Sequence, residues 1–229
     1  MIRPSKISFA RFGLVLAGCF FLTGCPDPNM YATPRTVPAG EVAVSIAPEV
    51  IGLHGSAGDG TKINFDFPTA PTVAVRVGVA DRVDVGLRAV NLSSFGGDLK
   101  LNFLKSRYFD MSVDPGVQVG DLPVTPNLFL SWFTFPLPMG VNFNKYVSLV
   151  LTPGMMVGLV SVTDSDANVT AASGAIGTLG LGVDLRFSQH FALHPMITAM
   201  KPFNDSTGVL YMAGLGINFG ELPSFDDDE

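Results

Sequence analysis

Charged residues are scarce in this chain, at 15% of its 229 residues, whereas an ordinary soluble domain carries about 25%. Apolar residues make up 47% of the sequence, and this content excludes an intrinsically disordered chain. No stretch shows the 3.6-residue periodicity of an amphipathic helix, and 25 glycines interrupt many short apolar runs. These absences argue against a helical bundle and favour a protein solvated partly by lipid.

Cysteine is also nearly absent, with Cys19 and Cys25 as the two examples. Three basic residues precede an apolar stretch at 12–22, which is shorter than the roughly 20 residues of a membrane-spanning helix but typical of a secretory signal. The stretch ends in Leu22-Thr23-Gly24-Cys25, which resembles the lipobox of bacterial lipoproteins. The resemblance implies that residues 1–24 are a signal peptide and that Cys25 carries acyl chains such as palmitate.

Cleavage before Cys25 would leave a single cysteine and therefore no disulfide. Residues 1–24 hold three of the 14 basic residues and none of the 20 acidic ones. The chain from Cys25 onward is thus strongly acidic and has no basic stripe, so we expect no nucleic-acid partner. Four prolines in residues 25–40 predict a polar, extended tether between the lipid and a folded domain.

From residue 41 onward, alternation with a period of two dominates, as where Val73, Val75 and Val77 alternate with Ala74 and Arg76. The pattern predicts ten strands, with eight as the alternative count. The predicted strands are 41–53, 70–80, 83–91, 98–105, 108–119, 127–138, 145–162, 174–188, 190–201 and 208–219.

The connections between these strands alternate in length. Short turns are predicted at 81–82, 106–107, 140–144 and 189, and longer loops lie between them, which is typical of transmembrane barrels. Aromatic residues near the short turns predict a girdle at the membrane interface. They are Phe103, Tyr108, Phe109, Phe135, Phe143, Tyr146, Phe187, Phe191 and Phe219.

The last predicted strand carries Gly214, Ile217 and Phe219, in a pattern that resembles the C-terminal β-signal of outer-membrane proteins. It departs from that pattern at Met212, where a polar residue is usual, and in the ten residues that follow Phe219. With the lipobox, these features resemble the small outer-membrane β-barrel proteins of Gram-negative bacteria.

The resemblance implies an all-β, closed, antiparallel up-and-down transmembrane barrel over residues 41–219. Residues 220–229 would form an acidic periplasmic tail on the same side as the short turns. The partners implied are outer-membrane lipid, the barrel-assembly machinery and the lipoprotein-sorting machinery.

Four prolines lie inside predicted strands, where proline removes a hydrogen bond of the sheet. Pro48, Pro115, Pro153 and Pro195 all fall on odd-numbered strands and point outward in the predicted register. They predict either a bulge repeated at one depth or a break in each strand.

Closing the sheet places alternate residues in the lumen. In the predicted register His194 faces inward, together with a set of charged residues in which the two signs are nearly balanced. These residues are Arg76, Asp84, Arg88, Lys100, Asp110, Asp114, Asp184 and Arg186. Because a lone buried charge is costly, we expect these groups to pair and plug the lumen, with a narrow polar pore as the alternative. The turn at 81–82 predicts that Arg76 and Arg88 lie near one height.

Catalytic, metal and cofactor motifs are missing. His54, Ser56 and Asp59 have the residue types of a hydrolytic triad, but they lie in one glycine-rich loop without rigid support. His190 and His194 share a strand face with no third ligand near, so we expect no metal site.

The sequence therefore predicts a non-enzymatic, lipid-anchored outer-membrane barrel with a structural, surface or narrow-channel role, and no cofactor. The alternatives are a lipid-tethered soluble β-sandwich or lipocalin-like ligand binder, and an outer-membrane hydrolase.

Overall fold

The computed structural model describes residues 27–56, 62–90, 94–121, 128–163, 169–203 and 209–223. Within these ranges the chain forms fourteen strand segments. They are β1 (Val42–Ala47), β2 (Glu49–Ser56), β3 (Lys62–Pro68), β4 (Thr72–Ala80), β5 (Val83–Val90), β6 (Ser94–Leu104), β7 (Phe109–Val113), β8 (Gly116–Asp121), β9 (Leu128–Pro136), β10 (Met139–Asn144), β11 (Val147–Thr163), β12 (Val169–Ser188), β13 (Phe191–Pro202) and β14 (Val209–Gly220). No helix of the described residues is long and apolar enough to cross a bilayer.

The segments assemble into one closed antiparallel barrel of ten strands. Four barrel strands consist of two consecutive segments each, namely β1 with β2, β3 with β4, β7 with β8, and β9 with β10. Each strand pairs with its neighbours in sequence, and β14 pairs with both β1 and β2 to close the ring. The prediction of a closed all-β up-and-down barrel is confirmed, and the count is ten rather than eight.

Two predicted connections differ most from the structure. Residues 140–144 were expected to form a turn, but they belong to β10, and the chain reverses at 145–146 instead. The expected loop at 54–69 contains β3, which extends the second barrel strand and pairs with β2. In both places glycine or proline within a strand imitates the composition of a loop.

The short connections lie at 81–82, 105–108, 145–146 and 189–190, and we call this end of the barrel the short-turn end. The opposite end, which we call the long-loop end, carries the connections at 57–61, 91–93, 122–127, 164–168 and 204–208, which lie outside the described residues.

The four strand prolines behave in two ways. Pro48 separates β1 from β2, and Pro115 lies between β7 and β8, so each interrupts its strand. Pro153 and Pro195 remain inside the continuous strands β11 and β13. Pro48 and Pro195 are exposed, as the outward register requires.

The outer face of the barrel is apolar. Side chains that alternate with buried positions are exposed along most strands, among them Val75, Val85, Leu181 and Leu215. A continuous apolar exterior around a closed sheet is the surface of a transmembrane barrel.

Aromatic side chains collect at the short-turn end. Phe191 packs between Phe187 and Phe219, with ring centroids 5.6 and 5.4 Å apart. Phe103, Tyr108, Phe143 and Tyr146 are exposed at the neighbouring turns. Phe135 was expected in this girdle. It lies further towards the long-loop end, because β10 continues the strand beyond it to the turn at 145–146.

Val75→Arg is expected to lower the free energy of unfolding by about 2–4 kcal/mol, because the side chain is exposed on the apolar outer face. Val75→Leu keeps the outer face apolar and serves as the matched control. Unfolding in lipid vesicles measures both variants, and equal stability of the two would contradict a lipid-facing position for Val75.

Candidate functional site: a lumen filled by the N-terminal segment

Residues 27–38, which we call the lumen segment, run inside the barrel. Asp27, Asn29, Tyr31, Thr33, Arg35 and Val37 are all buried. The prediction that residues 25–40 form a polar, extended tether between the lipid and the folded domain is therefore wrong for residues 27–37, which are buried inside the barrel. Asp27, Asn29, Tyr31 and Arg35 find hydrogen-bond partners on the polar inner wall rather than in solvent.

At the short-turn end the lumen segment enters beside the first hairpin. Ala39 forms a parallel bridge with Gly78, and the N–H of Val37 donates to the Asp84 carboxylate at 2.9 Å. Arg35 forms a buried ion pair with Asp110, with 2.9 Å between Nε and Oδ2.

Further along, the contacts move towards the long-loop end. The Asn29 side chain accepts a hydrogen bond of 2.6 Å from the hydroxyl of Thr198, in the middle of β13. The Asp27 carboxylate accepts one from Thr72, at the first residue of β4. The N–H of Asp27 donates to the Gln118 side chain in β8 at 3.2 Å. The lumen segment thus spans much of the barrel, with its N-terminal end directed towards the long loops.

Glycines in the wall make room for the lumen segment. A Cβ added at Gly214 or Gly216 would collide with Tyr31, and one at Gly78 would collide with the backbone of Pro38. Tyr31 itself has a φ of 44°, a left-handed conformation uncommon for a residue with a side chain. The phenolic O–H of Tyr31 donates to Glu49 at 2.5 Å. The wall is shaped for this particular segment.

Gly216→Ala is expected to reduce stability by about 1–3 kcal/mol, because the added methyl group overlaps the Tyr31 ring. Gly174→Ala is the matched control, since a Cβ at Gly174 meets no atom within 4 Å. Thermal unfolding in detergent compares the two, and a similar effect of both substitutions would contradict the close fit around Tyr31.

The strongest charge cluster in the wall is built around Arg76. Its guanidinium group lies 2.6 Å from Asp84, 2.7 Å from Asp98 and 3.3 Å from Asp114. The three carboxylates are almost fully buried. One cation therefore pairs with three carboxylates at once, and a second cation, Lys100 on β6, lies opposite Asp84.

Other predicted charges face inward but find different partners. Arg186 pairs with Asp184 at 3.1 Å, and His194 lies 3.4 Å from the same carboxylate. Lys100 donates to the carbonyl oxygen of Thr33 at 3.0 Å. Arg88 donates from Nη1 to the carbonyl oxygens of the lumen segment at 27 and 29.

The predicted common height of Arg76 and Arg88 is wrong. Arg76 is opposite Gly86, whereas Arg88 is opposite Ala74, two residues further from the turn. The strand pairing shifts between residues 78 and 80, next to the turn, so counting residues from the turn gives the wrong partners.

Several residues of this network were missed by the sequence reasoning. Asp98 has the same parity as Lys100, so period two alone could have placed it inward. Glu49 was hidden by Pro48, which disrupts the strand pattern. Asp27 and Arg35 were assigned to the tether.

Two cavities lie between the lumen segment and the described wall. One has a volume of about 60 Å³ and is lined by residues that include Arg76, Arg88 and Lys100, and it holds no more than a few water molecules. The other, at the short-turn end, has a volume of about 190 Å³ and is lined by residues that include Arg82 and Asn102.

The inner wall changes character towards the long-loop end. Ile51, Met200 and Met212 form a buried apolar cluster, against which Phe67, Ile176 and Leu210 pack. On the described part of the wall, polar residues thus line the region around the lumen segment, and apolar residues line the region nearer the long loops.

The remaining candidate residues are dispersed. Cys25 and Asp59 lie outside the described residues. His54 is exposed and lies 3.3 Å from Asp66, which also accepts a hydrogen bond from Tyr211. His190 lies in an exposed turn beside Glu221, whereas His194 is buried in the lumen. Among the described residues, no group of three or more His, Cys, Asp or Glu is placed to hold a metal ion.

The β-signal residues lie on β14. Phe219 is exposed at the short-turn end opposite Val44, and Ile217 is opposite Ile46 across the closing seam. Gly214 faces the lumen, where its lack of a side chain admits Tyr31.

No protein-family model matches the sequence, and no curated protein matches it. Solved structures with a similar fold include the attachment invasion locus protein Ail of Yersinia pestis, at 13% identity and a TM-score of 0.40, covering 80% of this chain and 99% of that one. The outer-membrane protease OmpT of Escherichia coli is 8% identical with a TM-score of 0.43, covering 81% and 98%. The translocator domain of the autotransporter NalP of Neisseria meningitidis is 9% identical with a TM-score of 0.45, covering 80% and 90%.

Proposed function

We propose that this protein is a lipid-anchored outer-membrane barrel with a structural or surface role, and that its own lumen segment keeps it closed. The observation that carries the proposal is the burial of residues 27–37 inside the ring of strands, where the segment occupies the lumen and contacts the inner wall. We assign it no enzymatic activity and no cofactor.

The orientation is part of the proposal. Short turns face the periplasm in bacterial transmembrane barrels, whereas the longer loops face outward. In the proposed orientation the end of β14 at Gly220 faces the periplasm. Arg107 stacks over Tyr108 and Lys145 over Tyr146 at the short-turn end, where cations and aromatic rings suit a phospholipid headgroup region.

Planar-bilayer recording of the full chain tests the closed lumen. We expect no steady conductance from the native protein, since the ion-paired wall and the lumen segment leave no continuous path. Steady single-channel conductance would favour the narrow polar pore instead.

The proposed lipid anchor has its own test. Cys25→Ala is expected to abolish incorporation of labelled palmitate, because the thiol is the proposed acylation site. The barrel should nevertheless resist extraction from membranes with carbonate, because its exterior is apolar. Release of the variant into the soluble fraction would instead support a lipid-tethered soluble domain.

A further inference from the structure

A groove crosses the outer face of the barrel from β11 to β14, towards the long-loop end. Its volume is about 790 Å³, which is within the roughly 300–1,000 Å³ of pockets that hold small organic molecules. Its lining includes the small residues Gly177 and Ala199 and the exposed side chains of Leu179 and Val209. The ring of Phe203, which is 68% exposed, lies over Gly177. The groove therefore opens to the surroundings of the barrel and not to the lumen.

One cation lines this groove. Among the described residues of β11 to β14, Lys201 is the single charged side chain on the outer face, because the other charged side chains of these strands face the lumen. Lys201 forms no ion pair with a carboxylate of the described residues. The outward carboxylate of Asp66 lies beyond β14 and β2 and already pairs with His54 at 3.3 Å. The described chain thus leaves the Lys201 ammonium group available to an anion from outside.

The position of Lys201 along its strand places it at the level of lipid headgroups. Phe191 and Phe219 are paired at the short-turn end, where aromatic side chains mark one membrane interface. Lys201 follows Phe191 by ten residues on the continuous strand β13. Ten residues of a strand tilted by about 40° rise roughly 25 Å, which is the height of the apolar band of such a barrel. Leu179 and Ala199, which pair with each other, lie nearer the middle of the membrane.

We propose that this groove binds one anionic, phosphate-bearing lipid of the leaflet next to the long loops. The lipid phosphate pairs with the Lys201 ammonium group, and an acyl chain lies against Leu179 and Ala199. A lysine at a membrane surface attracts acidic headgroups, and its methylene groups can cover apolar surface while the charge reaches the headgroup. Tyr211 lies opposite Ala199 on the next strand, as is typical of tyrosine at a membrane interface. The site belongs to the outer face and does not depend on acylation of Cys25.

Lipid retention by the purified full chain tests the site. Native mass spectrometry counts the lipids that remain bound after detergent-solubilised protein is mixed with phosphatidylglycerol or with phosphatidylcholine of the same acyl chains. We expect one phosphatidylglycerol to be retained in preference to phosphatidylcholine, because only the former carries a net negative charge. Equal retention of the two lipids would overturn the proposal. Displacement of phosphatidylglycerol by an equal concentration of inorganic phosphate would also overturn it, since the acyl chain would then contribute nothing.

The headgroup contact has its own variant. Lys201→Gln is expected to reduce retention of phosphatidylglycerol about fivefold, because the phosphate loses its cation. Lys145→Gln is the matched control, since it removes the same charge at the short-turn end, where Lys145 lies over the Tyr146 ring. Equal losses in the two variants, or no loss in Lys201→Gln, would show general charge attraction rather than a site in the groove.

The acyl-chain contact is tested without a change of charge. Ala199→Phe fills the groove and is expected to reduce retention, whereas Ala213→Phe on the next strand should leave it unchanged. Ala213 also alternates with inward residues, but it does not line the groove. Heat-modifiable migration on gels establishes that each variant has formed a barrel before its lipid is counted. Native retention by folded Ala199→Phe would contradict an acyl chain in the groove.

Discussion

Replacing Arg76 with alanine is expected to lower the free energy of unfolding by about 3–5 kcal/mol, because it leaves buried carboxylates without their cation. Asp84, Asp98 and Asp114 all lie within 3.3 Å of the Arg76 guanidinium group. Arg88 is a weaker choice for this experiment, since it donates its hydrogen bonds to backbone carbonyl groups and to Met30 rather than to a carboxylate.

Arg82→Ala provides the matched control for Arg76. Arg82 is exposed in the first turn and lies 3.9 Å from the exposed carboxylate of Asp81. Such a surface pair contributes about 0–1 kcal/mol. Chemical unfolding of both variants measures the difference, and similar losses would mean that the cluster around Arg76 is not a buried network.

A second large effect is expected when the lumen segment is removed from the lumen. Replacing residues 27–38 with a glycine-serine linker of equal length should convert a closed barrel into a conducting one. The described inward wall then holds six carboxylates and four basic side chains, so the pore should prefer cations. The carboxylates are Glu49, Asp84, Asp98, Asp110, Asp114 and Asp184, and the bases are Arg76, Arg88, Lys100 and Arg186.

Planar-bilayer recordings in a salt gradient give both the conductance and the sign of the selectivity. Heat-modifiable migration on gels establishes that the linker variant has formed a barrel before it is recorded. A folded linker variant that stays closed would show that the wall alone blocks the lumen. Anion preference would contradict the charge balance of the inner wall.

The barrel could be predicted from the sequence because its strands bury only one face. Val73, Val75 and Val77 alternate with smaller or charged residues, and that alternation survives in the structure as an outer and an inner surface. The inward orientation of residues such as Lys100 follows from the same local rule.

The lumen segment could not be found in this way. Its side chains at 27, 29, 31, 33 and 35 are all buried, but four of them are Asp, Asn, Thr and Arg. Hydrophobic periodicity does not detect polar residues that are buried against a polar wall. Pro34 and Pro38 then gave the segment the composition of a linker.

Tyr31 contacts two neighbouring strands that come from opposite ends of the sequence. Its hydroxyl binds Glu49 on β2, its ring lies over Gly214 and Gly216 on β14, and its carbonyl oxygen accepts from Asn218. These partners lie on the two sides of the seam that closes the ring. The first part of the folded chain to be synthesised can therefore take its place only after the last strand has joined the first. Docking of Tyr31 should therefore be a late step of folding, and release of the lumen segment an early step of unfolding. If that release is slow, the barrel unfolds more slowly than its equilibrium stability alone would indicate.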